Sequence, residues 1–206
     1  YTEHGYQTWV SDMNATNSGA GRKGVVYVPS NGGMLHAFQA SNGQELWAFV
    51  PTMVMDRMYR LADWDYANKH EYFVNASPDA GDVWVPALSA WRTILIGGLG
   101  AGGRGYYALD VTDPDNPRAL WEFRNDSTGG SDNLGFTFGN PVITKRGDGR
   151  WVVMFTSGYN NVSPGNGNGR LFVVNARSGQ LLKQIPTLIS AGVAANRITH
   201  KAGSAV

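Results

Sequence analysis

The chain has no cysteine. Thiolate catalysis, disulfide cross-links and cysteine-based zinc sites are therefore excluded within it. It has little charge: 16% of its residues are Asp, Glu, Lys or Arg, and the formal net charge is +1. That leaves no electrostatic case for binding nucleic acid or an anionic membrane surface. No stretch approaches the ~18 consecutive apolar residues that a bilayer-spanning helix needs. Histidine is scarce, and His4, His36, His70 and His200 stand at no ligand spacing from one another. There is no Gly-x-Ser-x-Gly elbow, no Gly-Lys-Ser/Thr phosphate loop and no Asp-x-Asp-x-Asp-Gly calcium loop. The sequence offers no catalytic constellation, and no cofactor is expected to bind this segment.

Glycine and aromatics are abundant instead, at 27 residues and 12%. The densest glycine run is Gly97-Gly98-Leu99-Gly100-Ala101-Gly102-Gly103-Arg104-Gly105. A dinucleotide loop must lead into a helix. This run leads into Tyr106-Tyr107-Ala108-Leu109-Asp110, which reads as a strand, so the run is expected to be a tight hairpin.

The same frame recurs three times. The first copy is Val25-Val26-Tyr27-Val28, a turn at Asn31-Gly32-Gly33, Leu35 to Gln39, a turn at Asn42-Gly43, and Glu45 to Phe49. The second is Thr93 to Ile96, the glycine run, Tyr106 to Asp110, a turn holding Asp113-Pro114-Asp115-Asn116-Pro117, and Ala119 to Phe123. The third is Val152 to Phe155, a long Gly/Asn loop, Leu171 to Asn175, Ser178-Gly179, and Leu181 to Ile185. Further strands at Asp82 to Val85 and Pro141 to Thr144 precede the second and third copies. Gly and Asn stand where hairpins require them.

Units of about four antiparallel strands are the blades of a β-propeller, and a closed ring needs ~4–8 of them. The expected fold is therefore all-β, about three four-stranded blades of a larger ring. The blades would cover roughly 24–50, 72–124 and 134–186 of a single domain spanning 1–206, with 1–23 and 187–206 irregular or incomplete. Met55, Met58, Leu61 and Ala62 stand at helical spacing, which predicts a short helical insertion near 53–64.

Two polar groupings invite a functional reading. Asp110, Asp113 and Asp115 are close in sequence, but the intervening prolines break the order of a calcium loop, and a solvated turn is expected. Arg146-Gly147-Asp148 lies between two predicted strands, where a hairpin tip would set a cation and a carboxylate on opposite sides of a glycine.

Several long stretches carry a resemblance. They are Val26 to Phe38, Tyr72 to Val83, Trp91 to Thr112 above all, and Leu134 to Pro141. Together they resemble the C-terminal propeller of the type IV pilus tip-associated adhesin and biogenesis family (PilY/PilC type). The resemblance implies a non-catalytic surface protein, exported through the periplasm to the pilus tip or outer membrane. Its implied partners are the pilus tip or minor pilins and a host-cell receptor or surface. Its implied roles are pilus assembly, opposing retraction, and attachment. It also implies calcium in the family, at a site elsewhere in the full-length protein, and an integrin-type use of Arg146, Gly147 and Asp148. Asn31-Gly32-Gly33 and Asn75-Ala76 depart from the family's usual Asn-Asp-Gly and Asp-Gly. Two rivals remain. One is a quinone-dependent dehydrogenase propeller, because Asp110 with Trp121, and Gln39 with Trp47, echo its repeat; the other is a generic envelope scaffold.

Overall fold

The computed structural model describes residues 1–15, 21–124, 133–162 and 165–187. Its strands form three antiparallel sheets. The first contains β1 (Val25–Ser30), β2 (Met34–Gln39) and β3 (Glu45–Phe49). The second contains β4 (Asp79–Val85), β5 (Ala90–Gly98), β6 (Gly105–Asp110) and β7 (Arg118–Arg124). The third contains β8 (Val142–Lys145), β9 (Trp151–Thr156), β10 (Arg170–Asn175) and β11 (Leu181–Pro186). Each sheet is a meander of sequential neighbours, the topology of a propeller blade. The first sheet has three strands rather than four among the described residues.

The repeat is also visible in the register. Pairing slips once in each sheet, after Ala37, Ala108 and Val173. Each slip lies two residues before the polar residue that ends the strand, Gln39, Asp110 or Asn175.

The middle sheet is covered on both sides, so β6 is buried along its whole length. Successive side chains of a strand point to opposite faces. Leu95, Tyr107 and Leu109 therefore join Leu35, Val54 and Phe73 in the core against the first sheet. Ile94, Ile96, Tyr106 and Ala108 join Phe155, Phe172 and Val174 in the core against the third.

Tryptophans fasten neighbouring blades at their outer strands. Trp47 Nε1 on β3 donates to the Pro114 carbonyl at 2.8 Å, and Trp121 Nε1 on β7 donates to the Ala176 carbonyl at 3.0 Å. Gly179 has φ +69°, and a Cβ there would lie 2.6 Å from Trp121 Cγ, so only glycine lets the indole lie on this turn. The corresponding position on β11 is Lys183, which is exposed. On the opposite side β4 and β8 approach each other, with Gly81 against Ile143.

Residues 1–15 are more ordered than their composition predicts. Where an irregular segment was expected, a helix α1 spans Tyr6–Asn14. Tyr6 and Trp9, one turn apart, pack on the core between the second and third sheets. Glu3 pairs with Lys145 of β8, Tyr6 Oη donates to Asp82 Oδ2 of β4 at 2.9 Å, and Trp91 Nε1 donates to the His4 carbonyl at 3.1 Å. The expected helix near 53–64 is shorter and divided. Helix α2 covers Thr52–Met55, and 3₁₀ turns follow at Met58–Ala62 and Tyr66–Asn68. Residues 188–206, expected to be irregular or an incomplete blade, lie outside the described residues.

Candidate functional site

The glycine run closes β5 onto β6, as a hairpin should, and three of its backbone donors are met within the protein. The Leu99 N–H donates to Thr137 Oγ1 at 2.9 Å, the Gly100 N–H to the Thr137 carbonyl at 3.2 Å, and the Gly102 N–H to the Leu99 carbonyl at 2.8 Å. Arg57 donates to the carbonyls of Gly102 and Tyr72. A Cβ on Gly102 would stand 1.8 Å from the Phe73 carbonyl oxygen, so the glycine is demanded by the close approach of the Phe73 backbone. A phosphate cradle needs backbone donors turned outward. These three are turned inward.

The acidic residues of the second blade are likewise committed. Asp110 is buried and accepts from the Thr112 N–H at 3.1 Å and from Thr112 Oγ1 at 2.6 Å. Asp113 caps the turn by accepting from Asn116 Nδ2 and the Asp115 N–H, which lowers its carboxyl below the usual range. Asp115 pairs with Lys23 at 2.8 Å. No three His, Asp or Glu side chains converge in metal-binding geometry among the described residues. His36 is half-buried, 2.7 Å from Glu45 Oε1. Asp126 and Asp132 lie outside the described residues.

Arg146, Gly147 and Asp148 form the exposed tip of the β8–β9 hairpin. The Arg146 N–H donates to the Arg150 carbonyl at 2.9 Å, and Gly149 takes φ +86° to close the turn. Gly147 is open: nothing lies within 4 Å of a Cβ built on it. The two charges do not point apart as the sequence suggested. Arg146 Nη2 lies 3.2 Å from Asp148 Oδ2, so the cation and carboxylate face each other across the turn. Arg150 Nε lies 3.7 Å from the same oxygen. Exposed pairs of this kind are worth about 0–1 kcal/mol, so little opposes their opening toward a partner.

This turn borders a groove of about 420 Å³ between the second and third sheets. Its walls come from Trp84 and Pro86 at the end of β4, from Asp148 to Trp151, and from Asn175 to Arg177. Trp84 is held from behind by His4, whose ring lies parallel to it at 3° and 4.2 Å. Arg177 reaches toward the neighbouring blade, with Nη1 3.6 Å from Asp110 Oδ2. Sequence reasoning missed the groove because its residues come from separate blades and share no local motif.

Comparison with known proteins adds the family. A family model described as the PilY1 β-propeller domain matches residues 6–200. The chain is 41% identical over 170 residues to the type IV pilus biogenesis factor PilY1 of Pseudomonas aeruginosa strain UCBPP-PA14, covering 82% of this chain and 14% of that protein. It is 41% identical over 167 residues to a PilY1 homologue from Xylella fastidiosa strain Temecula1, covering 81% and 13%. The crystal structure of the Pseudomonas aeruginosa PilY1 C-terminal domain superposes with a TM-score of 0.66 at 33% identity, covering 84% of this chain and 32% of that one. The chain thus spans about a seventh of the curated relatives' length.

Proposed function

The chain belongs to the PilY1 β-propeller family, and on that footing we propose that it is the propeller part of a type IV pilus biogenesis factor that works by binding and assembly, not by catalysis. The observation that carries this reading is that the similarity runs through all three sheets and the hairpins joining them. In this reading the protein sits at the bacterial surface at or near the pilus tip, contacts tip or minor pilins, promotes assembly and opposes retraction.

Rigidity suits that work. A propeller holds its loops on a scaffold fixed by burial of both faces of the middle sheet, and binding functions concentrate on such loops. The features that echo a dehydrogenase have structural duties here. Trp47 and Trp121 fasten blades together, and Asp110 orders its own turn. Deleting the gene should remove surface pili, and complementation should restore them; wild-type piliation after deletion would reject the reading. A quinone absorbance band after addition of pyrroloquinoline quinone and calcium would favour the dehydrogenase instead.

A second reading concerns Arg146, Gly147 and Asp148, whose exposure at a hairpin tip favours contact with an integrin-type host receptor. Asp148→Ala should abolish receptor-dependent attachment and leave piliation intact. Unchanged attachment would remove this role.

A further inference from the structure

We propose that the insertion between β3 and β4 carries a recognition groove for a proline-rich segment in the polyproline II conformation, held by Tyr59 and Trp64.

Trp64 stands apart from the other tryptophans of the chain, each of which packs on one of the two cores. It is 93% exposed, and its indole N–H makes no hydrogen bond among the described residues. Tyr59 is 72% exposed and lines the same groove. Large apolar side chains exposed together mark an interaction site, and Trp and Tyr are the residues that most often carry binding energy. The groove is shallow, about 510 Å³, and its other lining residues are Arg60, Ala62, Asp63 and Lys69.

The tip is stiff before any partner arrives. Asp63 Oδ1 accepts from the Asp65 N–H at 2.9 Å, and its Oδ2 lies 3.2 Å from Lys69 Nζ. Asn68 Nδ2 donates to Asp65 Oδ1 at 2.7 Å. Arg60 Nη1 pairs with Glu71 at 2.6 Å, and the Arg60 guanidinium lies 5.8 Å from the centre of the Tyr59 ring. Little ordering is therefore left for binding to impose.

The same bonds decide the class of ligand. The charged side chains of the lining are engaged within the insertion, Asp63 with Lys69 and Arg60 with Glu71. What the groove offers is two ring faces and two ring-borne donors, the Trp64 N–H and the Tyr59 hydroxyl, whose oxygen accepts from Arg60 Nε at 3.4 Å. A polyproline II segment matches that offer. Its prolyl rings are apolar, its carbonyls have no internal hydrogen bond, and its prolines bring no N–H that would need an acceptor. The hydroxyls of a sugar would find the polar side chains already engaged. None of the lining residues belongs to a strand, so an extended peptide has no ladder to join. Half of them are charged, which leaves no long apolar wall for an amphipathic helix. A groove walled by aromatic rings is the mode by which polyproline II is recognised.

The test is calorimetric titration of the full chain with octaproline, acetylated and amidated, and with a Gly/Ser peptide of the same length. Octaproline should bind about tenfold or more tightly than the Gly/Ser peptide. Trp64→Ala should abolish binding, and Trp64→Phe, which keeps a ring and loses the N–H, should weaken it by about two- to tenfold. Both aromatic side chains are exposed, so the variants should melt with the wild type. No binding of octaproline at millimolar concentration, equal binding of the two peptides, or indifference to Trp64→Ala would each overturn the proposal. Three further results would give the groove to another occupant and overturn it too. They are self-association of the wild type that Trp64→Ala removes, partition into phosphatidylcholine vesicles that Trp64→Ala removes, and tighter binding of maltohexaose than of octaproline.

Discussion

The indole nitrogen of Trp121 donates its hydrogen bond to the carbonyl of Ala176, 55 residues away and in the next sheet. Trp47 does the same one blade earlier, to Pro114. Each bond joins the outer strand of one blade to the turn that follows the third strand of its neighbour. Trp121→Phe keeps most of the buried ring and loses the bond, at a cost of about 1 kcal/mol. Trp121→Ala also loses the packing and should cost about 3 kcal/mol or more. Thermal unfolding should rank wild type, Phe and Ala in that order; equal midpoints for Phe and Ala would show that the bond and not the packing holds the blades.

Glycine substitutions divide sharply by place. Gly102→Ala forces a methyl group against the Phe73 carbonyl and should prevent the segment around Phe73 from packing on the hairpin, costing several kcal/mol by overpacking. Gly147→Ala, in open space at the hairpin tip, should change stability by less than about 0.5 kcal/mol. A melting curve for each variant checks the contrast, and similar midpoints would contradict the close approach.

Alkaline pH should loosen the amino-terminal segment. Desolvation and the hydrogen bond to Asp82 push the Tyr6 hydroxyl up from 10.0 to about 12. Between those values the unfolded chain loses the Tyr6 proton while the folded chain keeps it, so stability falls as pH rises. Its contribution is complete below pH 10 and gone above about 12. Burial raises Tyr106 and Tyr107 in the same direction. Tyr6→Phe should make denaturant midpoints measured across this range less steep in pH. An unchanged slope would show that Tyr6 does not couple α1 to β4.

Much of the fold could be read from the chain because each blade carries its own hairpin signals and alternating strands. The glycine run was legible as a hairpin because Tyr106 to Asp110, on its far side, form a strand and not a helix. The helix α1 was missed, because the surrounding Gly, Asn and Ser made residues 1–23 read as irregular and masked the helical spacing of Tyr6, Trp9, Val10 and Met13. It has no side-chain cap and starts at Gly5 in the left-handed region, so packing on Trp91 holds it more than propensity does. The position of Trp121 was visible, yet its partner Ala176 lies in another blade. The groove was hidden for the same reason, since Trp84, Arg150 and Arg177 meet only when two blades stand side by side.

Whether this propeller serves pilus assembly through its binding surface can be read from the yield of pili sheared from cells. Cells that lack the gene are set beside cells complemented with the wild-type chain or with Trp47→Ala/Trp121→Ala. Few or no pili are expected without the gene, full recovery with the wild type, and poor recovery when the blades are unfastened. A wild-type yield from cells lacking the gene would contradict the assembly role.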